Sequence, residues 1–213
     1  MSPHIREQTL YYFNELNDDA KEKARQWWRE HGLDYEWWDC SYEDFVACAK
    51  TLGIEISSKP TTRMDGKPGL GSTNIYFSGF CSQGDGACFE GWYSYQKGWR
   101  KLLKAYAPID AELMRIGEAL QDTQKRLRYE GTATIAQSGR YSHSGCMIIE
   151  VGTGEVHEYP DGPEEDIKQA LRDFADWMYK RLEGEHDYLN GDESVDEGIV
   201  ANEYEFFKNG GRA

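Results

Sequence analysis

The chain has 213 residues, 39% of them apolar and 14% aromatic, with 7 Trp and 14 Tyr, enough large anchors for a core of ordinary domain size and too many for a chain disordered throughout. Lys plus Arg number 24 against 38 Asp plus Glu, a formal net charge of −14, so no direct binding to a nucleic-acid backbone is expected, and the short basic run Lys97, Arg100, Lys101 and Lys104 reads as a solvated helix face. No stretch has the length of a membrane span and the first residues lack the apolar run of a signal peptide, so a cytoplasmic protein without membrane contact is expected.

In chain order, Asn17 is placed to cap a helix with Asp18 and Asp19 in its first turn, an apolar stripe of Ala20, Ala24, Trp27 and Trp28, and Gly32 as its stop. A second helix carries Trp38, Tyr42, Phe45, Ala49 and Leu52 at spacings of three and four and ends at Gly53. The two are expected to pack as a helical hairpin. Ile54 to Ile56 reads as a short strand, and the Gly-, Pro-, Ser- and Thr-rich residues after it as an exposed loop. Residues 74–81, a glycine-rich turn and residues 87–90 then form strand, turn and strand; apolar groups on both parities of the first strand imply a central place in the sheet.

A helix is expected over Tyr95 to Tyr106, and Pro108 opens a longer one through Leu113, Ile116, Leu120 and Leu127. Thr132 to Gln137 and Cys146 to Val151 are strands flanking the turn SGRYSHSG, and Val156 to Tyr159 is a third candidate. After Pro163, three acids begin a helix with the clearest apolar stripe of the chain: Ile167, Leu171, Phe174, Ala175, Met178 and Leu182. Beyond Arg181 no Lys or Arg occurs until Lys208, while nine acids do. Interspersed Tyr188, Leu189, Ile199, Val200, Tyr204, Phe206 and Phe207 argue that this acidic segment docks on the protein.

These signals predict an α+β fold: a central antiparallel sheet of hairpins packed by N-terminal, middle and C-terminal helices. Residues 1–182 form one domain in this reading, followed by the acidic segment 183–213. The five cysteines, Cys40, Cys48, Cys81, Cys88 and Cys146, are odd in number and contain no C-x-x-C pair, so free thiols are expected and no zinc finger. The five histidines include no pair at i and i+4, and no metal or cofactor is expected.

Three stretches are candidate sites. In SQGDGACFEG, Ser82 to Gly91, the glycines lead into a strand and no lysine follows at the spacing of a phosphate loop, so the match is to hairpin chemistry, with Asp85 and Glu90 as the acids of an alternative site. The turn SGRYSHSG brings Arg140 and His143. If the two tips adjoin, Asp85 could orient His143 as a general base beside an anion-binding arginine. Glu36, Asp39, Glu43 and Asp44 recur at helical spacing beside two tryptophans and, with Asp192, Glu193, Asp196 and Glu197, could receive a Lys- or Arg-bearing partner; the bland alternative is an amphipathic helix with its acids in solvent.

The strings YYFNEL, AKEKAR, DYEWWDCSYEDF, IYFSGFCSQGDGACFEG and RYSHSGCMIIEV are similar to those of a family of uncharacterised proteins encoded in bacteriophages and prophages, some of which carry the automatic label of an antitoxin of a toxin-antitoxin stability system. The resemblance covers roughly residues 10 to 150 and implies a mobile-element accessory protein of the bacterial cytoplasm; it supplies no catalytic residues. With the charge, it leads to an expected non-enzymatic binding protein that neutralises a basic host-defence or toxin protein. The alternatives are a small hydrolase or nucleotide-processing enzyme using Asp85, Glu90, Arg140 and His143, and a phage structural component.

Overall fold

The structure, a computed structural model, describes residues 8–62, 68–152 and 162–213. The elements are β1 (Tyr11–Tyr12), α1 (Asp18–His31), α2 (Asp39–Leu52), β2 (Ile54–Ile56), β3 (Ser58–Thr62), β4 (Pro68–Thr73), β5 (Ile75–Phe77), β6 (Ala87–Phe89) and β7 (Gly91–Ser94). They continue with α3 (Trp99–Tyr106), α4 (Ala111–Arg126), β8 (Thr132–Gln137), β9 (Met147–Gly152), α5 (Pro163–Asn190), α6 (Asp192–Ala201) and β10 (Glu205–Phe206). All strand pairs are antiparallel, and the fold is α+β as its sequence predicts. No helix among the described residues is long and apolar enough to cross a membrane.

The chain forms two compact units, one of residues 1–37 with 184–213 and the other of residues 38–183. The sequence reading instead groups 1–182 and sets the acidic segment apart.

In the first unit, the Asn17 side chain accepts from the Ala20 amide at 2.9 Å and starts α1, removing one of the unpaired donors of the first turn. Ala20 and Ala24 face inward onto Phe13, Leu16, Val195, Ile199 and Phe206, with Trp27, Trp28 and Tyr204 packed around them. Small alanines on α1 let α6 approach, and Gly198 completes the fit: a Cβ there would sit 2.6 Å from the Trp28 ring. The strand β10 pairs with β1, Tyr11 opposite Phe206. The acidic segment thus supplies Val195, Ile199 and Phe206, three of the seven buried residues of this unit's core.

In the second unit, α2 ends where Gly53 adopts φ +83° and its amide bonds back to Ala49 and Lys50, a left-handed cap that glycine takes without steric cost. The main sheet runs β2-β7-β8-β9. Phe45, Phe89, Phe174 and Trp177 form an aromatic chain beside it, with centroids 5.3 Å apart for Phe45 and Trp177 and 5.7 Å for Phe89 and Phe174. Gln124 is the fully buried polar residue here. Its amide donates to the Gly131 carbonyl at 2.7 Å and the Tyr93 hydroxyl at 3.2 Å and accepts from the Gly131 amide at 3.2 Å. It braces a turn in which Arg128 and Tyr129 both hold left-handed φ, 54° and 67°.

Several expectations are corrected. The helical hairpin expected of α1 and α2 gives way to other partners: α1 packs on α6, and α2 on α3 and β2. The expected exposed loop after Ile56 contains the hairpin β3-β4. The strand expected at the centre of the sheet shrinks to β5, which among the described residues pairs only with β6; the residues buried throughout are those of β6. Strand β7 follows at once and joins the main sheet, an element its single alternation did not reveal. Helix α3 starts at Trp99 because Gly98 holds φ +79°, and α4 starts at Ala111 because Asp110, accepting from the Leu113 amide, is the cap. The strand candidate Val156 to Tyr159 lies outside the described residues. Helix α5 continues beyond Leu182 to Asn190.

Candidate functional site

The two hairpin tips singled out in the sequence do adjoin. Gly86 lies against the backbone of residue 143: a Cβ built on it would be 2.5 Å from the His143 Cβ and 2.8 Å from its Cα, so only glycine permits the approach. The preceding turn closes on itself, because one Asp85 carboxylate oxygen accepts from the Ser82 amide at 2.7 Å and the Cys81 amide at 3.0 Å. Asp85 is a turn-forming acid. It makes no hydrogen bond to His143 in the structure, so the orienting role expected of it is not what its carboxylate does.

Glu90 is likewise engaged inside the fold. It accepts from the Asn74 amide at 2.7 Å, from Tyr76 at 3.4 Å and, through its other oxygen, from the Gln137 amide at 3.3 Å. Burial first, then the nearby Glu90 charge, pushes the Tyr76 phenol up. Arg140 is exposed at the second tip. Of the four alternative site residues, then, only His143 meets a chemically reactive partner, and that partner is Cys146: the ring Nε2 and the thiol Sγ are 3.3 Å apart across a 3-10 turn. The spacing His-x-x-Cys is its sequence signal, a contact within one turn where the partner expected of His143 lies across the sheet. Cys146 is half-buried, whereas Cys88 is buried and its thiol is pushed up to about 12 by that burial and by the charges of Cys146 and Glu90. All five cysteines are free thiols, and no group of three or more His, Cys, Asp or Glu among the described residues is placed to hold a metal ion.

The acidic candidates divide into two kinds. In the first unit, Arg25 reaches Asp196 with two parallel bonds, Nε to Oδ1 at 2.7 Å and Nη2 to Oδ2 at 2.8 Å. Arg29 pairs with Asp192 and donates to the Asn190 carbonyl at 3.1 Å. Asp192 and Asp196 therefore tie α6 to α1. Asp196, held in a fork geometry, is engaged by its own chain, whereas Asp192 is paired with Arg29 but remains exposed. Glu193 and Glu197, one turn apart on the same helix, are exposed and have no cationic partner among the described residues, and Glu36 is exposed as well.

In the second unit, Asp39 and Glu43 are exposed on α2, again one turn apart. Asp44 accepts from the Tyr106 hydroxyl at 2.5 Å. That bond, with a lesser effect of burial, raises the phenol to about 12. Of the eight acidic candidates, those without a partner among the described residues are thus Glu36, Asp39, Glu43, Glu193 and Glu197.

No curated protein and no solved structure matches the chain. A family model described as a domain of unknown function, DUF8835, matches residues 37–192, which is most of the chain and includes both hairpin tips and α2, and the chain therefore belongs to that family.

Proposed function

We propose that this protein is a non-enzymatic acidic binding protein that neutralises a basic host-defence or toxin protein, in the manner of an antitoxin or a counter-defence inhibitor in the bacterial cytoplasm. What supports the reading is the distribution of charge. The first unit holds 7 Lys plus Arg against 16 Asp plus Glu, which is 9 of the chain's 14 surplus negative charges. Its two best-placed cations, Arg25 and Arg29, are engaged by Asp192, Asp196 and Glu22, and Glu193 and Glu197 remain uncompensated outside. Like charges at i and i+4 weaken a helix by a few tenths of a kcal/mol; both Glu193/Glu197 and Asp39/Glu43 carry that cost, which a cationic partner would reverse.

The test is to isolate the tagged chain from bacterial cells at rising ionic strength. A basic protein retained in equal amount at low salt, released as screening shortens to about 10 Å near 0.1 M, and lost with Glu193→Gln/Glu197→Gln or Asp39→Asn/Glu43→Gln supports the reading. A partner indifferent to both salt and the substitutions refutes it.

A second reading, a small hydrolase at the joined tips, is favoured by one observation, the 3.3 Å approach of Cys146 Sγ and His143 Nε2. There the imidazole takes the thiol proton, the thiolate attacks an acyl carbon and expels its leaving group, which takes that proton from the imidazolium, and water then cleaves the thioester to an acid and the free thiol. Alkylation of Cys146 by iodoacetamide near neutral pH should then slow by about tenfold in His143→Gln; equal rates dismiss it.

A further inference from the structure

The most basic run of this acidic chain lies between Glu90 and Asp110. Residues 91–109 contain Lys97, Arg100, Lys101 and Lys104 and no acid. The fold turns this run into a concave feature: an open groove of about 660 Å³ at the junction of α3 and α4, lined by Trp99, Arg100, Lys101, Lys104, Gln121 and Lys125. Its volume lies within the range of small-molecule sites.

The charged side chains lining this groove are all cationic. Arg100 pairs with Glu118 at 3.0 Å and Lys125 with Asp122 at 2.7 Å, whereas Lys101 and Lys104 have no acidic partner among the described residues. Gln121 adds a donor. Its amide oxygen accepts from the Trp99 indole at 3.0 Å and the Tyr95 hydroxyl at 3.1 Å. Two donors on one oxygen settle which end of the amide is which, and the NH2 end has no acceptor among the described residues. The floor is rigid: Trp99 is buried against Gly117, where a Cβ would come within 2.2 Å of the ring, and the Arg100 guanidinium lies 5.2 Å from the ring centroid. Beside two acid-paired cations, Lys101, Lys104 and the oriented Gln121 NH2 are the groove's donors that lack an acceptor among the described residues.

We propose that this groove binds a compact polyphosphorylated ligand, a chain of linked phosphates free or carried on a nucleoside. Phosphate oxygens are the acceptors that Lys point charges and an amide NH2 can share. A long nucleic-acid strand fits the same donors less well, because its remaining phosphates would meet the field of a chain with net charge −14.

Calorimetric titration of the full chain at low salt with inorganic tripolyphosphate, a nucleoside triphosphate and a short single-stranded oligonucleotide tests the assignment. Three variants accompany the wild type. Lys101→Ala/Lys104→Ala removes the two unpaired groove cations. Gln121→Glu keeps the acceptor for Trp99 and Tyr95 but replaces the outward NH2 by a charged oxygen. Lys23→Ala/Lys208→Ala removes the same charge from exposed positions elsewhere. The expected result is saturable binding of tripolyphosphate or the nucleoside triphosphate, weakened roughly tenfold or more by each groove variant and less than about twofold by the distant pair, with circular dichroism unchanged. Tighter binding of the nucleoside triphosphate than of tripolyphosphate identifies the carried form as the ligand; the reverse identifies the free chain. No binding of either by the wild type, equal losses in the groove and distant variants, or an oligonucleotide that binds more tightly than both overturns the proposal.

Discussion

Replacing Gln124 should destabilise the protein more than its size suggests. The side chain is fully buried and makes three hydrogen bonds, two to Gly131 and one to Tyr93. Gln124→Ala leaves the Gly131 amide, the Gly131 carbonyl and the Tyr93 hydroxyl short of a partner in the interior, at roughly 1–3 kcal/mol for each buried group, and opens a cavity. The Tyr93 hydroxyl can rotate, so the expected total is about 3–5 kcal/mol, a large share of a typical domain's stability. The Tyr93 phenol is already pushed up to about 12 by burial, against the opposing hydrogen bond from Gln124, so it cannot answer the loss by ionising near neutral pH. Gln124→Glu supplies a sharper control. A protonated carboxyl can donate to the Gly131 carbonyl and accept from its amide, but an ionised one cannot donate. Its pKa in the folded protein must lie above the unfolded value of about 4.3, so the folded state holds a proton that the unfolded state releases. The variant's deficit relative to wild type should be small below that pH and grow by up to about 1.4 kcal/mol per pH unit above it. Urea unfolding followed by circular dichroism between mildly acidic and neutral pH measures both effects. A loss below about 1 kcal/mol for Gln124→Ala, or a pH-independent deficit for Gln124→Glu, would show that Gln124 does not brace the Arg128–Tyr129 turn.

Three further outcomes are expected. A double-mutant cycle of Arg25→Ala and Asp196→Ala should show a coupling of about 1–2 kcal/mol, more than a typical exposed pair because the contact is two-pronged and partly buried; denaturant titrations of the four proteins measure it, and no coupling would mean that this pair does not help hold α6. Asp110 is held below the usual carboxylate range: burial, the largest single influence, would raise it, but bonds from the Leu113 amide, Arg181 and Trp177 together outweigh it. A depressed folded pKa gives stability that is present above the unfolded value and lost as pH falls through the folded one, so Asp110→Asn should be clearly less stable than wild type at neutral pH, with the gap closing in acid; a constant gap contradicts this. Gly86→Ala should cost about 2 kcal/mol or more, because backbone must shift to admit a Cβ, and should raise the reactivity of Cys146 toward a thiol reagent as the two tips separate; unchanged melting and reactivity would remove the contact.

The candidate site was only partly visible in the chain. Asp85 in a Gly-Asp-Gly turn announces a reversal, and the structure uses it so. That His143 lies on Gly86 was open, because no local rule gives the distance between two hairpin tips. Cys146 stood in plain sight three residues from His143, and its relevance depended on the 3-10 turn that folds the pair together. For the acids, charge density was legible from composition, yet Asp192 and Glu193 look alike in sequence. Pairing with Arg29, more than 160 positions away, separates the paired acid from the unpaired one.

By itself the sequence determined what local backbone chemistry controls: the cap at Asn17, the left-handed stop at Gly53, the alternation of β8 and β9, the Pro163 start of α5, and the excess of negative charge. Only the tertiary structure decided which of these elements share a core. Burial depends on contacts between residues far apart in the chain, and these carry no signature in any short window. Hence α1 joins α6 across the length of the chain, β7 enters a sheet whose pattern it scarcely shows, and a basic run that looked like a solvated helix face becomes one wall of a groove.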